Sequence, residues 1–268
     1  MRADLNADPA ETLANARTAL ACLDLTSLND DDTEATIDAL AARAAGPAGR
    51  PAALCVWPRL AARAKAQAPA GVAVAAVANF PAGALDVAAA VADTRAIVAA
   101  GADEVDLVLP WRALKGGDAA GDADGAAAVV QAVRAACPGR VLKLIIESGE
   151  LAEPALIHAA CRIGLDAGVD FLKTSTGKVP VGATPEAADV MLAAIARHPR
   201  GAAVGFKASG GIRTVADAAV YIALVRHHLG EAALGPKRLR FGASGLLGDI
   251  ERVLSGQGAG NTSQPGSY

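Results

Sequence analysis

Aromatic residues are scarce in this chain: only 3% of its 268 residues are Phe, Trp or Tyr, although 53% are hydrophobic. A core with so few rings has to be built from aliphatic strands and alanine-rich helices. Cysteine is also rare, and no C-x-x-C pair occurs among Cys22, Cys55, Cys137 and Cys161. This spacing argues against a disulfide framework or a zinc site and favours a reducing compartment. We therefore expect a cytoplasmic protein.

Strong net charge and long apolar runs are absent as well. The formal net charge is −3 and the pI is near 5.8, which gives no support to binding of nucleic acid or a membrane surface. No apolar stretch reaches the length of about 18 residues that a transmembrane helix needs. The first residues, MRADLNADPAET, lack the apolar segment of a secretory signal peptide. Neither G-x-G-x-x-G nor G-x-x-x-x-G-K-[ST] follows a predicted strand, which weakens a nucleotide-binding interpretation.

Short apolar runs alternate with alanine-rich amphipathic segments along the chain. Eight of these runs are predicted to be strands, at residues 21–28, 52–58, 72–80, 104–110, 141–147, 171–176, 203–209 and 238–244. Strict alternation of strands and helices implies parallel strands, and eight such units predict an α/β fold of the TIM (β/α)8 barrel type. An open doubly wound sheet is the alternative. No linker divides the chain, so we expect one domain over residues 1–268, with a flexible Gly/Ser/Pro-rich tail from about residue 255.

The predicted strands carry charged side chains on one of their two faces. Because side chains alternate between faces along a strand, this phasing can be read from the sequence. The charged residues opposite the aliphatic face are Asp24, Asp106, Glu147, Lys143, Lys173, Lys207 and Arg240. In a barrel that face is the interior, where an unpaired charge costs several kcal/mol. A structural network of ion pairs is one interpretation; we favour a catalytic cluster, because a core needs none of these charges.

Lys173 and Lys207 lie on the sixth and seventh predicted strands, which are neighbours in such a barrel. A free lysine has a pKa of about 10.4 and is almost fully protonated at neutral pH. A second ammonium about 4 Å away contributes roughly 4 kcal/mol at an effective dielectric constant of about 20, or roughly three pKa units. The pair can therefore hold one amine uncharged for Schiff-base chemistry, with a carboxylate such as Asp106 retaining and passing the proton.

Glycine-rich segments follow the seventh and eighth predicted strands, at residues 207–211 (KASGG) and 241–245 (FGASG). TIM barrels often bind phosphate at this position, through backbone N–H groups and a helix N-terminus. The residues that could contact a phosphate through amides, a hydroxyl or an ammonium are Gly210, Gly211, Gly242, Ser244, Gly245 and Lys178. The sequence therefore predicts a phosphosugar enzyme that uses an imine-forming lysine.

Seven segments resemble the deoxyribose-phosphate aldolase family, in the same order and across nearly the whole chain. They are DLTSLNDDDT (24–33), NFPAG (79–83), GADEVDLVLP (101–110), LKLIIESGEL (142–151), FLKTSTGK (171–178), GFKASGGIRT (205–214) and FGASGLL (241–247). The resemblance implies a class I aldolase that interconverts 2-deoxy-D-ribose 5-phosphate with acetaldehyde and D-glyceraldehyde 3-phosphate. It implies no metal or other cofactor, and barrels of this kind are often homodimers.

The same resemblance implies roles for single residues. Lys173 would form the imine with the acetaldehyde-derived carbon, Lys207 would perturb its pKa, and Asp106 would act with Lys207 in proton transfer. Asp24 and Thr26 would bind hydroxyls or position water.

Further residues match the walls of the site in this family. Cys55 would line the site, and Lys178, Gly210, Gly211, Gly242 and Ser244 match the phosphate cradle. At Gly245 many relatives have a second serine, so this chain lacks one hydroxyl contact there.

The C-terminal Tyr268 also fits the resemblance, which implies that the tail folds over the site and assists proton transfer at the enamine carbon. Other functions stay open at this point: another class I phosphosugar aldolase or a transaldolase, a non-catalytic phosphosugar-binding barrel, or a phosphosugar isomerase. A metal-dependent aldolase would need clustered histidines. The four present, His158, His198, His227 and His228, fall on predicted helices or their ends.

Overall fold

The computed structural model describes residues 8–115 and 122–256. Eight parallel strands form a closed barrel in chain order, and the first strand pairs with the last. The strands are β1 Leu23–Thr26, β2 Ala53–Val56, β3 Ala73–Ala78, β4 Glu104–Val108, β5 Val141–Ile145, β6 Phe171–Lys173, β7 Gly205–Ser209 and β8 Leu239–Ala243. The TIM barrel prediction is confirmed, and the pairing of β1 with β8 excludes the open sheet.

Helices surround the barrel. They are α1 Pro9–Ala21, α2 Glu34–Ala44, α3 Ala61–Gln67, α4 Val87–Ala99, α5 Ala123–Ala136, α6 Ser148–Leu151, α7 Pro154–Asp166, α8 Pro185–Arg197, α9 Val215–Leu229 and α10 Leu246–Leu254. Helix α1 precedes the first strand and packs against α9 and α10. No described helix is both long and apolar enough to cross a membrane.

The starts of α8 and α9 follow side-chain signals in the sequence. The Thr184 hydroxyl accepts a hydrogen bond from the Ala187 amide, and Pro185 is the first residue of α8. Thr214 and Asp217 form a capping box at the start of α9. Each cap satisfies amides that would otherwise lack a partner, and is worth about 1 kcal/mol. These caps end the loops that follow β6 and β7, and both loops border the cavity described below.

The strand register brings charged residues of neighbouring strands to the same level. Asp106 pairs with Lys143 across β4 and β5, and Lys173 pairs with Lys207 across β6 and β7. Lys207 in turn pairs with Arg240 across β7 and β8. The aliphatic side chains of the strands face the helices and form the main core. The interior of the barrel is therefore charged from β4 round to β1, as the alternation pattern predicted.

The remaining part of the barrel interior is apolar. Cys55 on β2 and Ala75 and Val77 on β3 form a small cluster with Leu28, which follows β1. All four are buried. The charged and apolar halves meet at Asp106, whose carboxylate lies 3.9 Å from the Cys55 sulfur. One wall of the interior can therefore contact an apolar group, whereas the other wall is lined by charged side chains.

Candidate active site

Seven buried charged side chains meet inside the barrel, and we call them the interior charge network. They are Asp24, Glu104, Asp106, Lys143, Lys173, Lys207 and Arg240. Their connected salt bridges join strands β1, β4, β5, β6, β7 and β8. A buried charge in this position is tolerated only when it is paired and hydrogen-bonded.

Asp106 is the carboxylate on which the two predicted catalytic lysines converge. The Lys173 and Lys207 amines each lie 2.8 Å from Asp106 Oδ2. The two amines are therefore separated by at most twice that distance. Lys143 binds the other oxygen, Oδ1, also at 2.8 Å. The convergence predicted from the register of β6 and β7 is present in the structure.

Asp24 holds Lys207 from the side opposite Asp106. Its Oδ2 lies 2.5 Å from the Lys207 amine and 3.3 Å from the Lys143 amine. Its Oδ1 accepts a hydrogen bond of 2.6 Å from Arg240. Both oxygens are thus occupied by cations, and Asp24 is fully buried. Asp24 contacts its cationic neighbours, and it does not line the cavity.

Glu104 is the third carboxylate of the network, and the sequence analysis did not include it. Its oxygens accept hydrogen bonds from Arg240, at 2.8 and 3.2 Å, and from Lys143. The signal was available, because Glu104 is two residues from Asp106 on one strand and so shares its face. Glu147 was expected in this place. It accepts hydrogen bonds from Thr176 instead, at 3.1 and 2.7 Å, because β5 ends at Ile145 and the alternation stops there.

A cavity of about 590 Å³ opens at the carboxyl-terminal ends of the strands, the end where TIM barrels place their active sites. Eight of the predicted site residues line it: Thr26, Lys173, Lys178, Gly210, Gly211, Gly242, Ser244 and Gly245. Lys173 is the one member of the interior charge network that lines this cavity. The cavity also has Arg213 and Ser209 in its wall, to which the sequence analysis gave no role.

One end of the cavity is built from backbone groups. Gly210 and Gly211 have φ angles of 85° and 84°, a conformation that favours glycine. Gly245 precedes α10 without a side-chain cap, so the first amides of that helix face outward. Among described residues, the amides of Gly211 and Gly245 donate to no protein acceptor. Free amides at a helix N-terminus attract anions.

Gly242 has a steric role that the sequence did not indicate. A Cβ atom at this position would lie 2.1 Å from Ser209 Oγ and 3.1 Å from Lys207 Cε. A side chain there would therefore collide with Ser209 and crowd the end of Lys207. Glycine at position 242 leaves room for the Ser209 side chain in the cavity wall.

Of three further predicted residues, Cys55 lies away from the cavity surface, Thr26 lies in the cavity wall, and Tyr268 lies outside the described chain. Cys55 is fully buried next to Asp106. The Thr26 hydroxyl, although in the cavity wall, donates to its own strand at the Asp24 carbonyl, 2.8 Å away. Tyr268 and most of the predicted tail lie outside the described residues.

Comparison with known proteins assigns the family. A family model for DeoC/LacD family aldolases matches residues 18–244. The chain belongs to this family. It is therefore an aldolase, a carbon–carbon lyase.

Solved structures agree with the aldolase fold. A provisionally named deoxyribose-phosphate aldolase from Toxoplasma gondii ME49 is 22% identical with a TM-score of 0.84, over 94% of this chain and 98% of that one. One from Coccidioides immitis is 26% identical with a TM-score of 0.74, over 93% and 100%. A tetrameric deoxyribose phosphate aldolase from Aeropyrum pernix is 22% identical with a TM-score of 0.66, over 91% and 97%.

Electrostatics separate the two lysines of this DeoC/LacD family member. Burial lowers the pKa of Lys173, Asp106 opposes this effect, and the charge of Lys207 adds to it. Burial alone would also lower the pKa of Lys207, but Asp106 and Asp24 together raise it above its ordinary value. The sequence predicts that Lys207 is the main cause of the lowered Lys173 pKa, but burial is the larger cause. The pKa values of the two neighbouring amines are thus shifted in opposite directions.

Two carboxylates of the network, Asp24 and Asp106, have pKa values below their ordinary range and stay ionised. Burial would raise the pKa of Asp106, but Lys143, Lys173 and Lys207 hold it well below its usual range. With three carboxylates and four cations, the network carries one excess positive charge when every lysine is protonated. Lys173 has one carboxylate partner, whereas Lys143 and Lys207 each have at least two. Loss of the Lys173 proton therefore balances the buried charges.

Metal-dependent aldolase chemistry would need a cluster of ligands. Within residues 8–115 and 122–256, no group of three or more His, Cys, Asp or Glu side chains is arranged to hold a metal ion. The three carboxylates of the network bind lysine and arginine side chains instead.

Proposed function

We propose that this DeoC/LacD family aldolase reversibly cleaves 2-deoxy-D-ribose 5-phosphate into acetaldehyde and D-glyceraldehyde 3-phosphate through an imine on Lys173. The observation that carries the proposal is the position of Lys173, which joins the interior charge network to the cavity. A nucleophilic amine has to be uncharged and has to reach its substrate. Lys173 borders the cavity and its pKa is lowered, which favours the uncharged form, whereas Lys143 and Lys207 are fully buried and do not line the cavity.

The reaction begins with attack of the Lys173 amine on the C1 aldehyde of the open-chain sugar, with loss of water. The resulting iminium ion draws electrons from the C2–C3 bond when the C3 hydroxyl loses its proton. That bond breaks, C3 becomes the aldehyde of glyceraldehyde 3-phosphate, and C1 and C2 remain on Lys173 as an enamine. Protonation at C2 and addition of water then release acetaldehyde and restore the amine.

Lys207 and Asp106 are the groups placed to move these protons. The Lys207 amine donates a hydrogen bond to Asp106, and Asp106 also accepts one from the Lys173 amine. The protonated Lys207 can supply a proton to the departing hydroxyl during water loss, while the ionised Asp106 steadies the iminium charge. Asp24 holds Lys207 from its other side, which makes it a positioning residue. Thr26 lies in the cavity wall, where its hydroxyl oxygen can accept from a substrate hydroxyl.

The phosphate is assigned to the end of the cavity that is built from glycines. Gly210, Gly211 and Gly245 present backbone amides, and Ser244 adds a hydroxyl at the start of α10. Lys178 supplies a cation; its amine lies 3.8 Å from Asp30, an exposed carboxylate that a dianionic phosphate would outcompete.

The apolar cluster at Cys55 suits the two-carbon fragment. Cys55, Ala75, Val77 and Leu28 lie on the side of the barrel that carries no charge. An enamine carbon held against this wall is kept away from bulk water. Burial raises the pKa of the Cys55 thiol, so the sulfur stays neutral and acts as part of the wall. A role for Tyr268 in protonating C2, a homodimer and a cytoplasmic location stay predictions.

A product assay tests the proposed reaction. We expect the protein to release acetaldehyde from 2-deoxy-D-ribose 5-phosphate, and Lys173→Met to abolish the release. Lys65→Met is the matched control, since Lys65 is half-exposed and pairs with Asp103 outside the barrel; it should keep full activity. Release of a three-carbon ketone from ketose phosphates, with no acetaldehyde, would assign the chain to another class I aldolase or a transaldolase instead.

Replacing Gly245 with serine should tighten phosphate binding. A Cβ at Gly245 meets no atom within 4 Å, and the φ angle of −92° suits any residue. A hydroxyl bonded to a charged phosphate is worth about 1.5 kcal/mol, so we expect about a tenfold lower KM for the phosphorylated sugar. Gly248→Ser, one turn into α10 and also unobstructed, is the control. An equal gain on unphosphorylated 2-deoxyribose would show that the phosphate lies elsewhere.

A further inference from the structure

The interior charge network extends beyond the reacting lysines to the opposite end of the barrel. There Arg240 lines a second cavity, of about 380 Å³, together with Phe171 and Lys237. This cavity lies at the amino-terminal ends of the strands, away from the substrate. Arg240 is itself buried, and its guanidinium lies 5.6 Å from the centre of the Phe171 ring. Glu104 is the carboxylate next to it, and the proposed reaction gives Glu104 no role.

Glu104 is enclosed by charged groups from three other strands. Arg240 on β8 binds both of its oxygens, and Lys143 on β5 binds one of them. Asp24 on β1 shares Arg240 and Lys143 with it, and Asp106 on its own strand shares Lys143. Only 3% of Glu104 is exposed, and it does not line the substrate cavity.

A chain of three contacts links Glu104 to the reactive amine. The Lys143 amine bridges Glu104 and Asp106, and Asp106 binds the Lys173 amine. Lys173 also has Lys207 on β7 and Cys55 on β2 near it, and both Lys207 and Lys143 depend on Asp106 for charge compensation. The negative charge of Glu104 offsets part of the positive charge of Lys143 and Arg240. Without it, that excess charge would act on Lys173.

We propose that Glu104, held by Arg240, is a positioning residue that sets the pH range in which the Lys173 amine reacts. The inference rests on the proposed imine chemistry and deepens it. A buried ion pair is costly, and a hydrophobic pair of similar volume would often stabilise a barrel interior as well or better. Lys143 alone separates the Glu104–Arg240 pair from Asp106. We therefore attribute the presence of the pair to its effect on the charge around Asp106 and Lys173.

The two charges of the pair should act in opposite directions. Glu104→Gln removes a negative charge, so the protonated form of Lys173 becomes less favourable and the amine reacts at lower pH. Arg240→Gln removes a positive charge, so Lys173 keeps its proton to higher pH. Each charge lies roughly 7 Å or more from the amine, given a strand rise of about 3.3 Å per residue. At an effective dielectric constant of about 20, we expect shifts of about one pH unit.

The experiment measures the covalent adduct of acetaldehyde on Lys173. Purified protein is incubated with acetaldehyde and cyanoborohydride from about pH 5 to about pH 9, and the rate of adduct formation is followed by mass spectrometry. We expect the midpoint of the rate profile to fall by about one pH unit in Glu104→Gln and to rise by a similar amount in Arg240→Gln. In the double variant the two changes should cancel. Glu104→Asp, which keeps the charge, should restore the wild-type midpoint.

A purely structural pair would give a different result. It would lower the yield of folded protein or the rate at every pH, and the midpoints of all variants would equal that of the wild type. Equal midpoints, or shifts in the same direction, overturn the inference. If Arg240→Gln does not fold, the difference between the pH midpoints of Glu104→Gln and Glu104→Asp is a sufficient test. Absence of any adduct in the wild type at any pH would instead contradict the proposed function.

Discussion

Replacing Lys207 with methionine is expected to lower turnover about 1,000-fold and to move the acidic limb of the pH profile upward. The loss of rate follows because general acid–base catalysis contributes about 10²- to 10⁴-fold in enzymes. The limb moves because Lys207 is the cation next to Lys173. Without Lys207, the interior charge network has three cations and three carboxylates when Lys173 is protonated. The formal charges then balance, which favours the protonated form of Lys173.

The sign of the shift follows from the pKa of Lys173. Burial and Lys207 lower that pKa, and Asp106 raises it. Removing Lys207 leaves Asp106 with fewer cations, so the Lys173 amine stays protonated to higher pH. We expect the acidic limb of kcat/KM to rise by about one pH unit, and Lys65→Met to leave it in place. A lower turnover with an unmoved limb would mean that Lys207 transfers protons without tuning its neighbour.

Replacing Asp106 with asparagine should both abolish turnover and destabilise the barrel. Asp106 accepts hydrogen bonds from Lys143, Lys173 and Lys207. The variant would leave four cations with two carboxylates, and breaking a buried ion pair on one side costs about 3–5 kcal/mol. Urea denaturation at neutral pH measures this loss directly. An unfolding free energy within about 1 kcal/mol of the wild type would contradict the central place of Asp106.

The pH dependence of that loss has a definite sign. The Asp106 pKa lies well below its ordinary value in the folded protein. Its contribution to stability is therefore complete above the unfolded pKa of about 3.9 and is lost as the pH falls below that value. The difference in unfolding free energy between the wild type and Asp106→Asn should be constant near neutral pH and should decrease below about pH 4. Lys173→Met is the comparison: it should cost at most about 1 kcal/mol, because the amine has one carboxylate partner and a lowered pKa.

The barrel could be predicted because each strand obeys the alternation of apolar and charged faces. Lys173, Lys207 and Asp106 were phased correctly from residues two apart on their own strands, since no bulge interrupts β4, β6 or β7. Glu147 was misplaced because the pattern was extended past the end of β5, where its backbone turns to a φ of 55°. Alternation holds only inside a strand, and the sequence did not show where this one ends.

Other features of the site depend on tertiary distances that no sequence pattern encodes. One such feature is which lysine lines the cavity: Lys173 does, whereas Lys143 and Lys207 are fully buried in the barrel interior. The steric need for Gly242 next to Ser209 is another, because it arises between β7 and β8. The glycine-rich loops were placed correctly, since the carboxyl ends of parallel strands meet at one end of any such barrel.

The most direct measurement is reductive trapping. The protein is incubated with acetaldehyde and borohydride, digested, and mapped by mass spectrometry. The account predicts a stable two-carbon adduct on the peptide that carries Lys173, present in the wild type and in Lys65→Met and absent in Lys173→Met. An adduct on Lys143 or Lys207 instead, or none on any lysine of an active preparation, would contradict it.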